Sequence, residues 1–528
     1  MKKKIISMLL CMAMCVTMLA GCGESSDNAK SEPAEEKEVT EVEGGNMAFP
    51  IGGDIKSFNY CMCSGDDDQE MVLSSMYDEL CSVTSDGVRY YLAENMEMSD
   101  DATTLTIKLR DGMKWHDGEP ITADDVVFTI NYILMNSSSC GTDTLRTLVN
   151  MQPVNAEKID DLTVKVTAPA PQASMMYSIG EIHPLPAHIW GDDSLTDEEK
   201  SEKAVGSGPF KLKEYISGEK IVMERFDDYY REPATLDTVE FKIIPDLNAR
   251  EVAFENGEIN FLRVTDAQTL AKYEESDDYT IFNQPEGRIN FLALKTGGKL
   301  GDVKAREAVA KALNIPEIVE GVYGDDTFAI PATSMFSRLS YFYSKENINY
   351  EQNLEEAKEL VKETGLDKGK LVYVYNSSRA GMEETALMVQ QQLKEAGITV
   401  ELQGVDAAGF FQAQSTNDGS VDMMMSGYMS NGEEFHCRLF YSTMMGGAMG
   451  FAIPEEVDAA WNEAESTIDM DARKDSMTKA YEAAKDAYSI ISVSDTNYVA
   501  VMQKGYAGMD EYGLNTLFED YTMLHMVE

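Results

Sequence analysis

Few residues in this chain could carry out covalent chemistry, and each of those stands alone. The 528 residues include five histidines. His116, beside Trp115, has no nucleophile or base in its motif and falls between a predicted strand, a turn and a helix, so local packing is the expectation. Gly206-Ser207-Gly208 looks like a phosphate loop only superficially, lacking the following Lys-Ser/Thr and a strand-to-helix context. Without a Gly-x-Ser-x-Gly elbow, a surface hydrolase has little support. Cys61-x-Cys63 lacks the second Cys or His pair of a zinc site, so neither a metal nor a cofactor is expected. Beyond the first 22 positions the cysteines are Cys61, Cys63, Cys81, Cys140 and Cys437, an odd set that leaves at least one free thiol and suits a reducing niche.

One cysteine has a different chemistry. Lys2, Lys3 and Lys4 form a positive tip, Ile5 to Met18 is an uncharged apolar run, and Leu19-Ala20-Gly21 precedes Cys22. A charged tip, a short apolar stretch and small residues before a cut mark a secretory signal peptide, here residues 1–21. The run is shorter than the ~20 apolar residues that span a bilayer. Leu-Ala-Gly-Cys resembles the lipobox of bacterial lipoproteins, which implies diacylation of Cys22 and a mature chain tethered outside the cytoplasmic membrane. Residues 22–46 are rich in Ser, Asp, Glu, Lys and Gly without an aromatic residue, so a disordered acidic tether is expected there.

Charge narrows the partners. The formal net charge is −48, and losing Lys2, Lys3 and Lys4 with the signal takes it to −51. Such a balance argues against nucleic acid and against adhesion to anionic lipid through a basic patch. A charge spread along the whole chain reads mainly as a solvated surface. A folded body from residue 47 to the end exceeds what one hydrophobic core supports, so two or more domains are expected.

The elements that would position a site are readable in places. Leu105-Thr106-Ile107-Lys108-Leu109 alternates as a half-buried strand, followed by turn signals at Arg110-Asp111-Gly112 and Asp117-Gly118. Thr122, with Asp125 three residues on, makes a variant capping box, and Val126, Val127, Ile130, Ile133 and Leu134 then share one helical face. A helix is predicted over 303–313, where Lys304 and Arg306 are expected to face water. Further on, a helix from Leu354 ends near Gly365, and Leu371–Tyr375 reads as a buried strand. Thr385–Ala396 is a helix closed by Gly397, and Ile398–Leu402 a second strand, an order that fits a parallel crossover unit. Asp471–Ala487 is another predicted helix. Met423, Met424 and Met425 lie in an apolar run and read as strand core.

An ordered set of motifs carries a wider resemblance. Leu92-Ala93-Glu94, Ser99-Asp100-Asp101, Leu109 to Pro120 and Thr122-Ala123-Asp124-Asp125-Val126 come first. Gly206-Ser207-Gly208-Pro209-Phe210 and Arg225-Phe226-Asp227-Asp228-Tyr229-Tyr230 follow, then Ile244-Pro245-Asp246, Asn256 to Asn260, and Val303 to Ala308. Together, from about residue 48 to the end, they resemble the dipeptide/oligopeptide-type (family 5) extracytoplasmic solute-binding proteins that serve ABC importers. The resemblance implies an α/β, two-lobed periplasmic-binding-protein-like fold with an extra subdomain in the first lobe. The first lobe would comprise residues 47–82, 205–290 and 495–528, with 83–204 as the extra subdomain; the second would be 291–494. The chain would cross between lobes near Asn290-Phe291-Leu292 and Ser492-Val493. Its partners would be a small-molecule or short-peptide ligand and a permease–ATPase complex, with the chain itself a monomer.

The resemblance also nominates site residues. Peptide-binding relatives carry a Gly-Trp-x-Ala-Asp-Tyr-like segment whose Asp pairs with the ligand's ammonium. In this chain Tyr428 falls at the Trp position and Asn431 at the Asp. An amide offers a dipole rather than a charge, so two readings stay open. Glu433 or Glu434 supplies the anion for a peptide, or the ligand is a sugar, opine or blocked peptide that Asn431 hydrogen-bonds while the Tyr428 ring stacks. His436 admits a nickel chelate as a third. On the facing lobe the resemblance places Met62, Cys63, Ser64, Asp66 and Asp67 in a loop against the ligand, where Asp66, Asp67 and Asp68 would receive a basic group. A peptide-signal sensor on the same scaffold is the remaining alternative to import.

Overall fold

The computed structural model describes residues 40–62, 67–84, 87–135, 154–344, 349–429, 432, 436–509 and 520–528. The signal peptide, Cys22, the tether up to residue 39 and Cys140 lie outside them. Residues 41–528 form a single compact unit.

Two long antiparallel strands, Tyr279–Leu294 and Ile490–Gln503, organise that unit. Side chains alternate across a strand, so each half of the pair feeds two cores. Tyr498, Ala500 and Met502 enter the core that also holds Phe282, while Val499 and Val501 enter a smaller one around Phe254. At the other end Leu292, Leu294, Ile491 and Val493 enter one core, while Phe291, Ala293 and Ile490 enter another on the opposite face. Between these ends both strands turn polar. A register shift spans Pro285 to Ile289, opposite Asp495 to Asn497, and the buried carboxylates of the stretch are paired. Glu286 accepts from Arg263 Nη2 at 2.7 Å and Thr496 Oγ1 at 2.6 Å. Asp495 accepts from the Arg338 amide at 2.8 Å.

Among the described residues there are five sheets, and three of them carry most of the strands. Asn46–Ile51, Thr238–Ile243, Lys220–Arg225 and Phe210–Ile216 form the first, with Asn46–Ile51 parallel to Thr238–Ile243. Ala93–Met98, Thr104–Leu109, Thr163–Thr167 and Asn155–Asp160 form the second, against which helix Ala123–Met135 packs. The third runs through the two long strands to Met423–Met429, Lys370–Asn376 and Thr399–Val405. In it Lys370–Asn376 and Thr399–Val405 pair in parallel, joined by helix Met382–Glu395, so the expected crossover unit is present.

Local expectations fare unevenly. The strand expected over 105–109 is Thr104–Leu109. The Thr122 amide donates to Asp125 Oδ2 at 2.8 Å, and Val126, Ile130 and Ile133 of that helix are buried. Helix Leu354–Thr364 ends at left-handed Gly365. Met423, Met424 and Met425 are buried strand core.

Two expectations are corrected. Residues 41–46 are not part of a disordered tether: Glu41 and Val42 pair with Val527 and Met526, and the Gly45 amide donates to Asp237 at 3.0 Å. Composition concealed this because the contacts are main-chain. Arg306 does not face water either. It is 4% exposed, its Nε donating to the Ala487 carbonyl at 2.8 Å and its Nη1 to those of Leu300 and Gly301 at 2.9 and 3.0 Å.

The Gly206-Ser207-Gly208 motif is an internal clasp. A Cβ on Gly206 would collide with the Met76 carbonyl, and one on Gly208 would press on the same backbone. The closeness lets the Gly208 amide reach Met76 O at 2.9 Å and Ser207 Oγ accept from the Asp78 amide at 3.0 Å. His116 completes it, its ring lying 3.0 Å from Gly208 O and accepting from the Gly206 amide at 3.1 Å.

Candidate functional site

Two segments nominated by the sequence are the candidate walls of a site. The first is Ser57–Met62. Phe58 donates its amide to Ser201 Oγ at 2.9 Å, and Tyr77 hydroxyl reaches the Phe58 carbonyl at 3.0 Å. Fully buried Asn59 donates from Nδ2 to Tyr132 at 3.1 Å and accepts the Cys61 amide at 2.9 Å. These bonds hold a short 3-10 turn, Tyr60–Met62, whose Tyr60 ring stacks on His183 at 3.6 Å. Burial pushes the His183 imidazole down to about 3, so the ring is neutral at ordinary pH. Met62 is half-buried at the end of the turn. Cys63, Ser64 and Asp66 lie outside the described residues; of Asp67 the backbone is described, opening helix Asp67–Ser74. Asp68 belongs to that helix rather than to a ligand-facing loop: its Oδ2 accepts the Gly52 amide at 2.5 Å and lies 3.6 Å from Arg250 Nη2.

The second wall is strand Met423–Met429, antiparallel to Arg288–Leu294 along its whole length. Its pairing with Lys370–Asn376 is limited to Met423 and Met424. Tyr428 corrects the expectation of a stacking platform. It is 5% exposed, its hydroxyl donates to the Met335 carbonyl at 2.5 Å, and its ring packs against Phe291 and Phe440, both at 5.6 Å. The alternation of the strand puts this ring in the core. Beyond it, Asn431, Glu433 and Glu434 lie outside the described residues, and of His436 only the backbone is described, at the start of helix His436–Phe440. Gly432 is pinned, its amide to Leu339 O at 3.3 Å and its carbonyl accepting from Tyr341 at 3.0 Å.

Tyr341 lies between the cores to which the two segments belong. It packs both on the core containing Phe58 and Cys61 and on the one containing Tyr428 and Cys437. Sequence reasoning missed it, although an aromatic Tyr341-Phe342-Tyr343 run in a stretch without periodicity was a usable signal. Cys61, Cys81 and Cys437 are buried. A pocket of about 400 Å³ lies elsewhere, between Ile315, Pro316, Thr333, Tyr350 and Glu351, and none of the nominated residues lines it.

The comparisons identify the architecture. The pattern of the bacterial extracellular solute-binding proteins, family 5 (middle part), matches residues 87–443. The chain belongs to this family. Oligopeptide-binding protein AppA of Bacillus subtilis is 28% identical over 501 residues, covering 88% of each chain. Among solved structures, the putative peptide-binding protein AppA of Clostridium difficile is 31% identical at a TM-score of 0.82, covering 92% of this chain and 100% of that one. The ABC transporter substrate-binding protein CtaP of Listeria monocytogenes is 30% identical at a TM-score of 0.81, with the same coverage. This family 5 protein therefore has the two-lobed α/β architecture of periplasmic binding proteins, and it is a solute-binding component of an ABC importer rather than an enzyme.

Proposed function

We propose that the protein captures a peptide-like solute between its lobes, at the outer face of the cytoplasmic membrane, and delivers it to a permease. The observation that supports this is Tyr341, whose amide donates to the Gly432 carbonyl at 3.0 Å and which packs against both the core that holds Phe58 and the core that holds Tyr428. A peptide is favoured because relatives across the chain's length are named for oligopeptides and peptides. Asn431, at the position of the ammonium-binding aspartate, keeps an amine-free solute as the second reading.

In this proposal residues 47–82, 205–290 and 495–528 build the main part of the first lobe, joined by residues 41–46. Residues 83–204 are its extra subdomain and 291–494 the second lobe. The lobes hinge at the polar interruption, residues 283–288 and 494–497, slightly to one side of Asn290–Leu292 and Ser492–Val493.

Thermal melting of the purified chain against pooled peptides, their N-acetylated forms and sugars tests the ligand. Binding stabilises by mass action, about 2.7 kcal/mol at a hundredfold excess over Kd. A peptide shift that acetylation abolishes supports Glu433, Glu434 or the residues after Met62 as the anion. A shift only with sugars or blocked peptides transfers the proposal to amine-free solutes, and no shift in any pool overturns it. Lipid anchoring on Cys22 is tested by Cys22→Ser, which should move the chain from the membrane to the soluble fraction.

A further inference from the structure

Helix Glu455–Glu465 packs Val457, Ala460, Trp461 and Ala464 into the core around Tyr428. Its last residue reaches out of that core. Glu465 Oε2 accepts the backbone amide of Ser174 at 2.8 Å, and its carbonyl accepts that of Ala173 at 3.1 Å. Ala173 and Ser174 lead into helix Met175–Gly180, whose Met175, Tyr177 and Ile179 belong to the core on the other side, with Phe58 and Cys61. Ser174 makes no side-chain cap of its own, so the carboxylate of a different core does the capping. All the parties are buried: Ala173 is 4% exposed, Ser174 4% and Glu465 3%.

Glu465 is oriented from its own side. Arg438 lies 3.9 Å from Oε1 and 3.2 Å from Asn462 Oδ1, and is 5% exposed. Its Nη1 is buried without a hydrogen-bond partner. A buried guanidinium this incompletely satisfied is a strong reason to keep a carboxylate nearby. Arg438 also stands on helix His436–Phe440, directly after the segment nominated for solute binding. The latch and the solute segment are thus joined by one short helix.

We propose that Glu465, held by Arg438, is the closing latch of the two lobes, engaging the Ala173–Ser174 backbone when they come together. This rests on the lobe-closure reading above and adds the residues that hold the closed arrangement. A carboxylate–amide hydrogen bond is stronger than a neutral one, so its loss should lower the closed-to-open ratio roughly tenfold.

Ser174→Pro is the first probe, and it also removes the Oγ that accepts from Gln172 Nε2 at 3.0 Å. It deletes the donating N–H, its φ of −67° already suits proline, and it leaves Arg438 and Glu465 together. Glu465→Gln is the second variant, weakening the acceptor while keeping its shape. X-ray scattering of the purified full chain with no peptide added should show a larger radius of gyration for both variants. Amide exchange should rise at residue 173 in both variants, and at 174 in Glu465→Gln, while the strands of both cores stay protected. An unchanged radius in both variants overturns the latch. So does expansion with exchange throughout either core, because that is unfolding rather than opening. Since no solute is added, failure of the latch leaves the peptide test above standing on its own.

Discussion

Buried titratable groups give the protein opposing responses to pH. Asp78 is 4% exposed and burial pushes its carboxyl up to about 7, against the pull of the Tyr230 and Tyr229 hydroxyls at 2.7 and 2.8 Å. Its protonated form is favoured by folding. The associated stability is fully present below the ordinary carboxyl value near 4 and is lost as pH rises through 7. His116 runs the other way. Burial drops it to about 4, so its contribution is present above pH 6.5 and is lost as pH falls through 4. Asp78→Asn should therefore gain stability relative to wild type as pH climbs from 4 to 7, as read from urea midpoints. Gly206→Ala should cost about 3 kcal/mol or more, because the backbone of Met76 cannot make room. The sequence showed both groups but not their purpose. A motif that mimics a phosphate loop and a histidine beside a tryptophan are two halves of one clasp, ninety residues apart in the chain.

At the scale of elements, periodicity worked where one face of an element is buried and the other wet. Thr104–Leu109, Leu354–Thr364 and the parallel crossover show this. It failed where polar groups turn inward. Arg306 sits on a helix whose pattern sends charges outward, yet three carbonyls at the ends of other segments need its donors. Arg306→Leu should cost about 3 kcal/mol by leaving them unsatisfied, and Arg306→Lys should recover only part of that, since one ammonium cannot reproduce the fork. Circular dichroism melts of the two variants would show the order. Tyr428 is the equivalent lesson at the site. A family position predicted an exposed ring, whereas strand alternation places it inside; Tyr428→Phe should leave solute affinity unchanged and lower stability by about 1 kcal/mol through the lost Met335 bond. The polar interruption at 283–288 and 494–497 emerged only with the structure, because nothing local says that those two stretches run side by side.

Over the whole molecule, the net charge of −48 works against compactness. Raising sodium chloride from low levels to 0.5 M, where the Debye length is only about 4–5 Å, should raise the melting temperature. A melting temperature that falls with salt would mean that the buried pairs outweigh the repulsion. The last consequence comes from the pairing of residues far apart in the chain. Tyr521 is fully buried, its ring edge-on to Phe49 at 6.2 Å and its hydroxyl donating to Met71 O at 2.6 Å, while Met526 and Val527 pair with residues near the start of the folded body. A core that begins near residue 47 is thus closed by residues 521–527. A growing or half-exported chain has nothing to seal that core with, however much of it has emerged. A chain cut before Tyr521 should therefore emerge as a target for proteases.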